Sequence, residues 1–138
     1  MVVDTSALIA ILFGEPEEET FLRMLLRAGG RACVSAASVL ETQIVARRRY
    51  GVAADKPLDG LLYRVNLAIE PVTLDQLHAA REGYRRFGQG TGGGGTLNFG
   101  DCFSYALAKV RNEPLLFKGG DFSRTDIDAV AWVSPPRI

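Results

Sequence analysis

Four acidic side chains stand in apolar company in this chain of 138 residues: Asp4 after MVV, Glu41 within AASVLETQIV, Asp101 within LNFGDCFSYALAK, and Asp121 after LLFKGG. Each has a local explanation. Asp4 fits the N-cap of the helix that TSALIAIL predicts. Asp101 completes an Asn98-x-x-Asp101 capping pattern, where a carboxylate at the positive end of the helix dipole is worth about 0.3–1 kcal/mol. Glu41 reads as a solvent-facing helical residue, and Asp121 as one of several turn acids, with Asp126 and Asp128 close by. Taken as a set they ask for more, because carboxylates gathered in one partly buried crevice repel one another and lose hydration. A positive partner is needed, and the chain offers no matching cluster of buried-looking Arg or Lys. Its one histidine, His78, sits on a separate capped helix and reads as surface. Oxygen-only ligands select Mg²⁺ or Mn²⁺. Such ions acidify water and stabilise the leaving oxygen of an in-line displacement, so phosphodiester hydrolysis is the chemistry expected of Asp4, Glu41, Asp101 and Asp121 as metal ligands and catalytic groups. Contact with a polynucleotide would fall to Arg47, Arg48, Arg49, Arg85 and Arg86. The same arginines also complement helix C-termini and keep a surface soluble.

The elements that must position these acids can be read from period and punctuation. Val2 and Val3 predict a short buried strand ending at Asp4, followed by a helix over TSALIAILFG. A second helix has Pro16 in its first turn, Glu17, Glu18 and Glu19 at the positive end of its dipole, and Gly29-Gly30 as its stop. RACVS (31–35) predicts a strand, and AASVLETQIVARRRYG a helix capped by Ser35 and ended by Gly51. Leu58, Leu61, Leu62 and Val65 share one helical face within 57–68, and IEPV predicts a third strand. Thr73-x-x-Gln76 predicts a capping box for a helix over 74–87, with Val72 stapled against Leu77. QGTGGGG predicts a flexible loop before the Asp101 helix. PLLFK and AVAWV predict the last two strands, separated by GGDFSRTDID. Short apolar strands alternating with helices imply an α/β domain with a mainly parallel sheet covered on both faces. In such sheets ligands bind at the carboxyl ends of the strands, which is where the four acids would meet.

Bulk properties bound the rest. The length suits one domain spanning 1–138, and 47% hydrophobic residues suffice for a core. Sixteen basic residues balance sixteen acidic ones, so any electrostatic site must be local. Two cysteines, Cys33 and Cys102, are too few for a disulfide framework and read as small buried residues. The apolar opening is broken by Asp4 and runs into EPEEE, unlike a signal peptide, and no apolar run is long enough to span a membrane. A cytoplasmic setting without membrane contact is expected.

VVDTSALIAIL, VSAASVLET, LNFGDCFSYALAK and LLFKGGDFSRTDI, in that order over nearly the whole chain, resemble the four signature blocks of PIN-domain ribonucleases, and more narrowly those of VapC toxins from bacterial toxin–antitoxin pairs. The resemblance implies a three-layer α/β/α fold around a parallel sheet, with Mg²⁺ or Mn²⁺ held by Asp4, Glu41, Asp101 and Asp121. It implies endonucleolytic cleavage of RNA, neutralisation by a cognate VapB-type antitoxin, and a homodimer. Ser6, in the DTS segment, would orient Asp4 or a water at the metal. Two departures stand out. Gly120 occupies a place where this branch often carries a further acid, which makes Asp126 an alternative fourth ligand. The glycine run 92–95 replaces a bulkier loop. The residues alone leave open a related metal-dependent DNase and a non-catalytic domain that only holds an antitoxin. A phosphatase fits less well, since Asp4 is followed by Thr5 and Ser6 rather than by a DxD motif.

Overall fold

The computed structural model describes residues 1–136. Four short strands, β1 (Val2–Val3), β2 (Cys33–Ser35), β3 (Ala68–Glu70) and β4 (Leu115–Leu116), pair in parallel in the order β3-β2-β1-β4. The connections are helical: α1 (Thr5–Leu12), α2 (Glu18–Ala28), α3 (Ala36–Tyr50), α4 (Asp55–Arg64), α5 (Leu74–Phe87) and α6 (Phe99–Arg111). The two-residue period of a strand divides the sheet's side chains between two cores. Val3, Val34 and Leu116 join Leu8, Phe21, Leu25 and Leu61 on one face. Val2, Cys33 and Leu115 join Tyr105, Leu107 and Phe122 on the other. This is the expected three-layer α/β/α arrangement.

Helix starts follow the expected chemistry. Asp4 accepts from the Ser6 N–H, Ser35 from Ala37, and Thr73 from Gln76, while Asn98 and Asp101 form a reciprocal capping box. The Thr73-x-x-Gln76 box is only half made, because the Gln76 amide turns away to donate to the Pro71 carbonyl at 3.0 Å. Pro16 precedes α2 instead of lying in its first turn, and Gly29 ends that helix in the left-handed conformation at φ 56°. The third strand ends at Glu70, since Pro71 has no N–H to continue a ladder. The helix expected over 57–68 begins earlier and ends at Arg64. Cys33 is buried as expected, but Cys102 is only half-buried.

The expected strand AVAWV is not formed. Only Ala129 makes a bridge to Leu115, through Asp128 O and Val130 N. Beyond it the chain leaves the sheet edge, and Trp132 packs edge-on against Phe21 with ring centroids 4.8 Å apart.

α5 lies along α6 because Gly83 presents no side chain to the Tyr105 ring; a Cβ there would overlap the ring carbons. Gly83→Ala is therefore expected to destabilise the fold by about 1–3 kcal/mol, despite alanine's better helix propensity. Urea unfolding of the variant checks this, and a midpoint at or above wild type would contradict it.

Candidate active site

Asp4 ends β1, Glu41 lies in the second turn of α3 just after β2, and Asp121 follows β4. Asp101 comes from the first turn of α6, whose N-terminus lies at the carboxyl edge because the helix runs back to enter a parallel strand. All four line one concavity of about 200 Å³, together with Thr5, Ser6, Lys118 and Phe122. Among the described residues no three carboxylates are gathered closely enough to hold an ion as they stand, although the Asp121 carboxylate lies within hydrogen-bonding reach of Asp101.

Two of the acids are held and two are free to adjust. Asp4 is 3% exposed and accepts the Ser104 hydroxyl on Oδ1 at 2.5 Å and the Ser6 N–H on Oδ2 at 3.0 Å. Asp101 is 8% exposed and accepts the Asn98 N–H on Oδ2 at 3.0 Å. Burial pushes Asp101 up to about 7, the Asn98 N–H works in the opposite direction, and the charges of Asp4 and Asp121 add to the rise. Asp121 is exposed, and Glu41 is half-buried with its carboxylate against the backbone of Gly100. Any Cβ at residue 100 would fall on that carboxylate. The glycine beside Asp101 is thus the space that lets Glu41 approach from α3.

Among the described residues the pocket contains one cation, Lys118, which is already engaged with Glu15 at 3.2 Å and Glu17 at 3.0 Å. Four oxygen donors without free neutralising charge match a hard divalent cation, and its charge would counter the burial and repulsion that raise Asp101.

The structure separates Asp126 from this group. It receives the Tyr105 hydroxyl at 2.7 Å and Lys109 at 2.9 Å, and pairs with Arg86 at 3.3 Å, so it braces α5 and α6. Asp121 is the fourth acid of the pocket. None of the five arginines singled out lines it. Arg47 is paired with Asp55, Arg85 with Glu82, and Arg86 with Asp126, while Arg49 lies 4.5 Å over the Phe13 ring. Arg48 comes nearest, lining an adjoining groove that shares Glu41 and Val45 with the acid pocket. Ser6 orients Asp4 through its backbone N–H; its hydroxyl instead accepts the Lys118 N–H at 2.9 Å, tying the loop after β4 to α1.

Sequence reasoning did not find Ser104, Ser38, Gly100 or Lys118. Ser104 had a signal: three residues beyond Asp101 it must share that helical face. Lys118 had none, because its role depends on contacts with the α1–α2 turn.

Residues 1–128 match the PIN domain model. Ribonuclease VapC of Mycolicibacterium smegmatis is 50% identical over 130 residues, covering 94% of this chain and 99% of that protein. The chain belongs to the VapC family of PIN-domain proteins. Ribonuclease VapC30 of Mycobacterium tuberculosis is another relative in the family, 47% identical over 131 residues, covering 95% of this chain and 98% of its own. The PIN fold also appears in the crystal structure of M. tuberculosis VapC20, a sarcin-ricin loop cleaving toxin, with TM-score 0.75, 23% identity, and coverage of 94% and 97% of the two chains. A further match is VapBC2 from Rickettsia felis bound to a promoter DNA fragment, with TM-score 0.72, 18% identity, and coverage of 93% and 94%.

Proposed function

We propose that this chain is the toxin ribonuclease of a type II toxin–antitoxin pair, hydrolysing RNA phosphodiester bonds with Mg²⁺ or Mn²⁺ held by Asp4, Glu41, Asp101 and Asp121. The observation that carries the reading is the convergence of these four acids, from four separate segments, on one pocket at the carboxyl edge of the sheet. The named ribonucleases at 47–50% identity favour RNA as substrate. The bound ion would supply Lewis-acid charge to the phosphate and acidify the attacking water.

The chain's own residues do the positioning. Asp4 and Asp101, fixed by their hydrogen bonds, present carboxylate oxygens from β1 and α6. Glu41 and Asp121 can adjust toward them by side-chain rotation. Arg48 in the adjoining groove offers a cation to phosphates flanking the cleaved bond, and Arg47, Arg49, Arg85 and Arg86 contribute at longer range.

The partner is a VapB-type antitoxin, in keeping with the named VapBC2 assembly. A homodimer would cover the apolar groove where Leu40 and Ile44 of α3 meet Phe99, which is 80% exposed. No described helix is long and apolar enough to cross a membrane, and the protein acts in the cytoplasm, where its RNA substrate is. The whole of 1–138 works as one domain.

Incubating the purified protein with a structured RNA and a matched DNA, each with Mn²⁺, tests the substrate. RNA should be cut and DNA left intact. Preferential cleavage of the DNA would replace the toxin reading with that of a DNase.

A further inference from the structure

Behind the acid pocket lies a set of buried hydroxyls that the proposed chemistry does not use. Ser38 in α3 is 1% exposed, and Ser104 in α6 and Thr42 in α3 are each fully buried. Their partners can be ordered by counting protons. A serine hydroxyl has one proton to give. Ser104 commits its proton to Asp4 Oδ1 at 2.5 Å, so in its 3.3 Å contact with Ser38 the donor must be Ser38. The Ser38 carbonyl in turn accepts the hydroxyls of Thr42 at 2.7 Å and Thr5 at 3.3 Å, which fixes the turn of α3 from which Ser38 reaches. The result is a directional chain, Ser38 to Ser104 to Asp4, linking α3, α6 and the end of β1. Successive hydrogen bonds of this kind polarise one another in a low-dielectric interior.

We propose that Ser104, with Ser38 behind it, is the positioning residue of Asp4: a buried hydroxyl relay that fixes the carboxylate's rotation and aims its free lone pairs into the acid pocket for a divalent cation. The inference rests on the metal-site reading above. With Ser104 on Oδ1 and the Ser6 N–H on Oδ2, both oxygens are gripped from behind and the carboxylate cannot turn. The bond to an ionised acceptor is the strong member of the relay. Alanine has the better intrinsic helix propensity, so nothing in α6 itself calls for the hydroxyl at 104; its partner is Asp4.

The test is Mn²⁺ binding by calorimetry, together with the Mn²⁺ dependence of RNA cleavage, for wild type, Ser104→Ala and Ser38→Ala. Ser104→Ala should weaken Mn²⁺ binding about tenfold, as loss of a group orienting a metal ligand does. The Mn²⁺ concentration giving half-maximal cleavage should rise by the same factor, with cleavage recovering at saturating metal. Ser38→Ala, which breaks the relay one step back, should give a smaller shift in the same direction. A folded Ser104→Ala protein that binds Mn²⁺ like wild type overturns the relay and leaves the metal site standing. Wild-type protein that binds no Mn²⁺ overturns the metal-site reading, and the relay with it. Should Ser104→Ala fail to fold, wild-type affinity in Ser38→Ala overturns the proposal.

Discussion

Asp101→Asn should stay folded and lose RNA cleavage by more than about 100-fold, since even groups that only orient metal ligands cost 10–100-fold when removed. Asparagine keeps an oxygen to accept the Asn98 N–H, so the start of α6 is preserved and the charge alone is lost. Stability supplies a second readout. In EDTA, burial and the neighbouring acids hold Asp101 at about 7, above the roughly 4 of an unfolded chain. Between those values the folded state binds more protons than the unfolded state, so this group makes stability fall as pH rises from about 4 to about 7. Urea unfolding in EDTA at pH 5 and 7.5 should therefore show a drop in wild type that Asp101→Asn reduces. An equal drop in both proteins would mean that Asp101 is not the group responsible.

Gly100→Ala should separate activity from stability in the opposite sense to an ordinary destabilising mutation. Residue 100 is the second residue of α6 and does not have a positive φ, so alanine suits its backbone and stability should hold or rise slightly. The new methyl would occupy the position of the Glu41 carboxylate. Glu41 is long enough to swing aside without disturbing the fold, and the pocket then loses its donor from α3. Cleavage should fall about 10- to 100-fold while the unfolding midpoint holds or rises. Cleavage at the wild-type rate would mean that Glu41 has no part in the chemistry.

Asp4 and Asp101 were legible because each sits at a boundary with its own sequence signal, whereas Glu41 stood out as a charge inside the apolar run of α3. Asp4 follows two buried valines and caps a helix, Asp101 completes a capping box, and the rule for parallel sheets brings strand ends together. What supports them was not legible. Ser38 and Ser104 are separated by 66 residues, and neither interrupts a helical pattern enough to attract notice. Their contact exists only because α3 packs against α6. Gly100 carried no signal in the sequence, because the carboxylate it admits belongs to another element. Asp126 could not be told from Asp121 by composition; Tyr105, Lys109 and Arg86 decide it, and they come from two other helices. AVAWV has the composition of a strand, yet only Ala129 bridges to the sheet and Trp132 packs on Phe21 instead. Local chemistry thus marked where elements begin and end, whereas contacts between helices determined which side chains support the pocket.

The most direct test follows RNA cleavage across a Mn²⁺ titration for wild type and Asp4→Asn, with EDTA as the zero point. Asparagine can still cap α1 by accepting the Ser6 N–H, so the fold is kept while the most deeply buried of the four charges is removed. Wild-type cleavage should be absent in EDTA and rise with Mn²⁺, and folded Asp4→Asn should stay inactive at every concentration. Cleavage by wild type in EDTA, or equal cleavage by both proteins, would contradict a metal-dependent ribonuclease centred on this pocket.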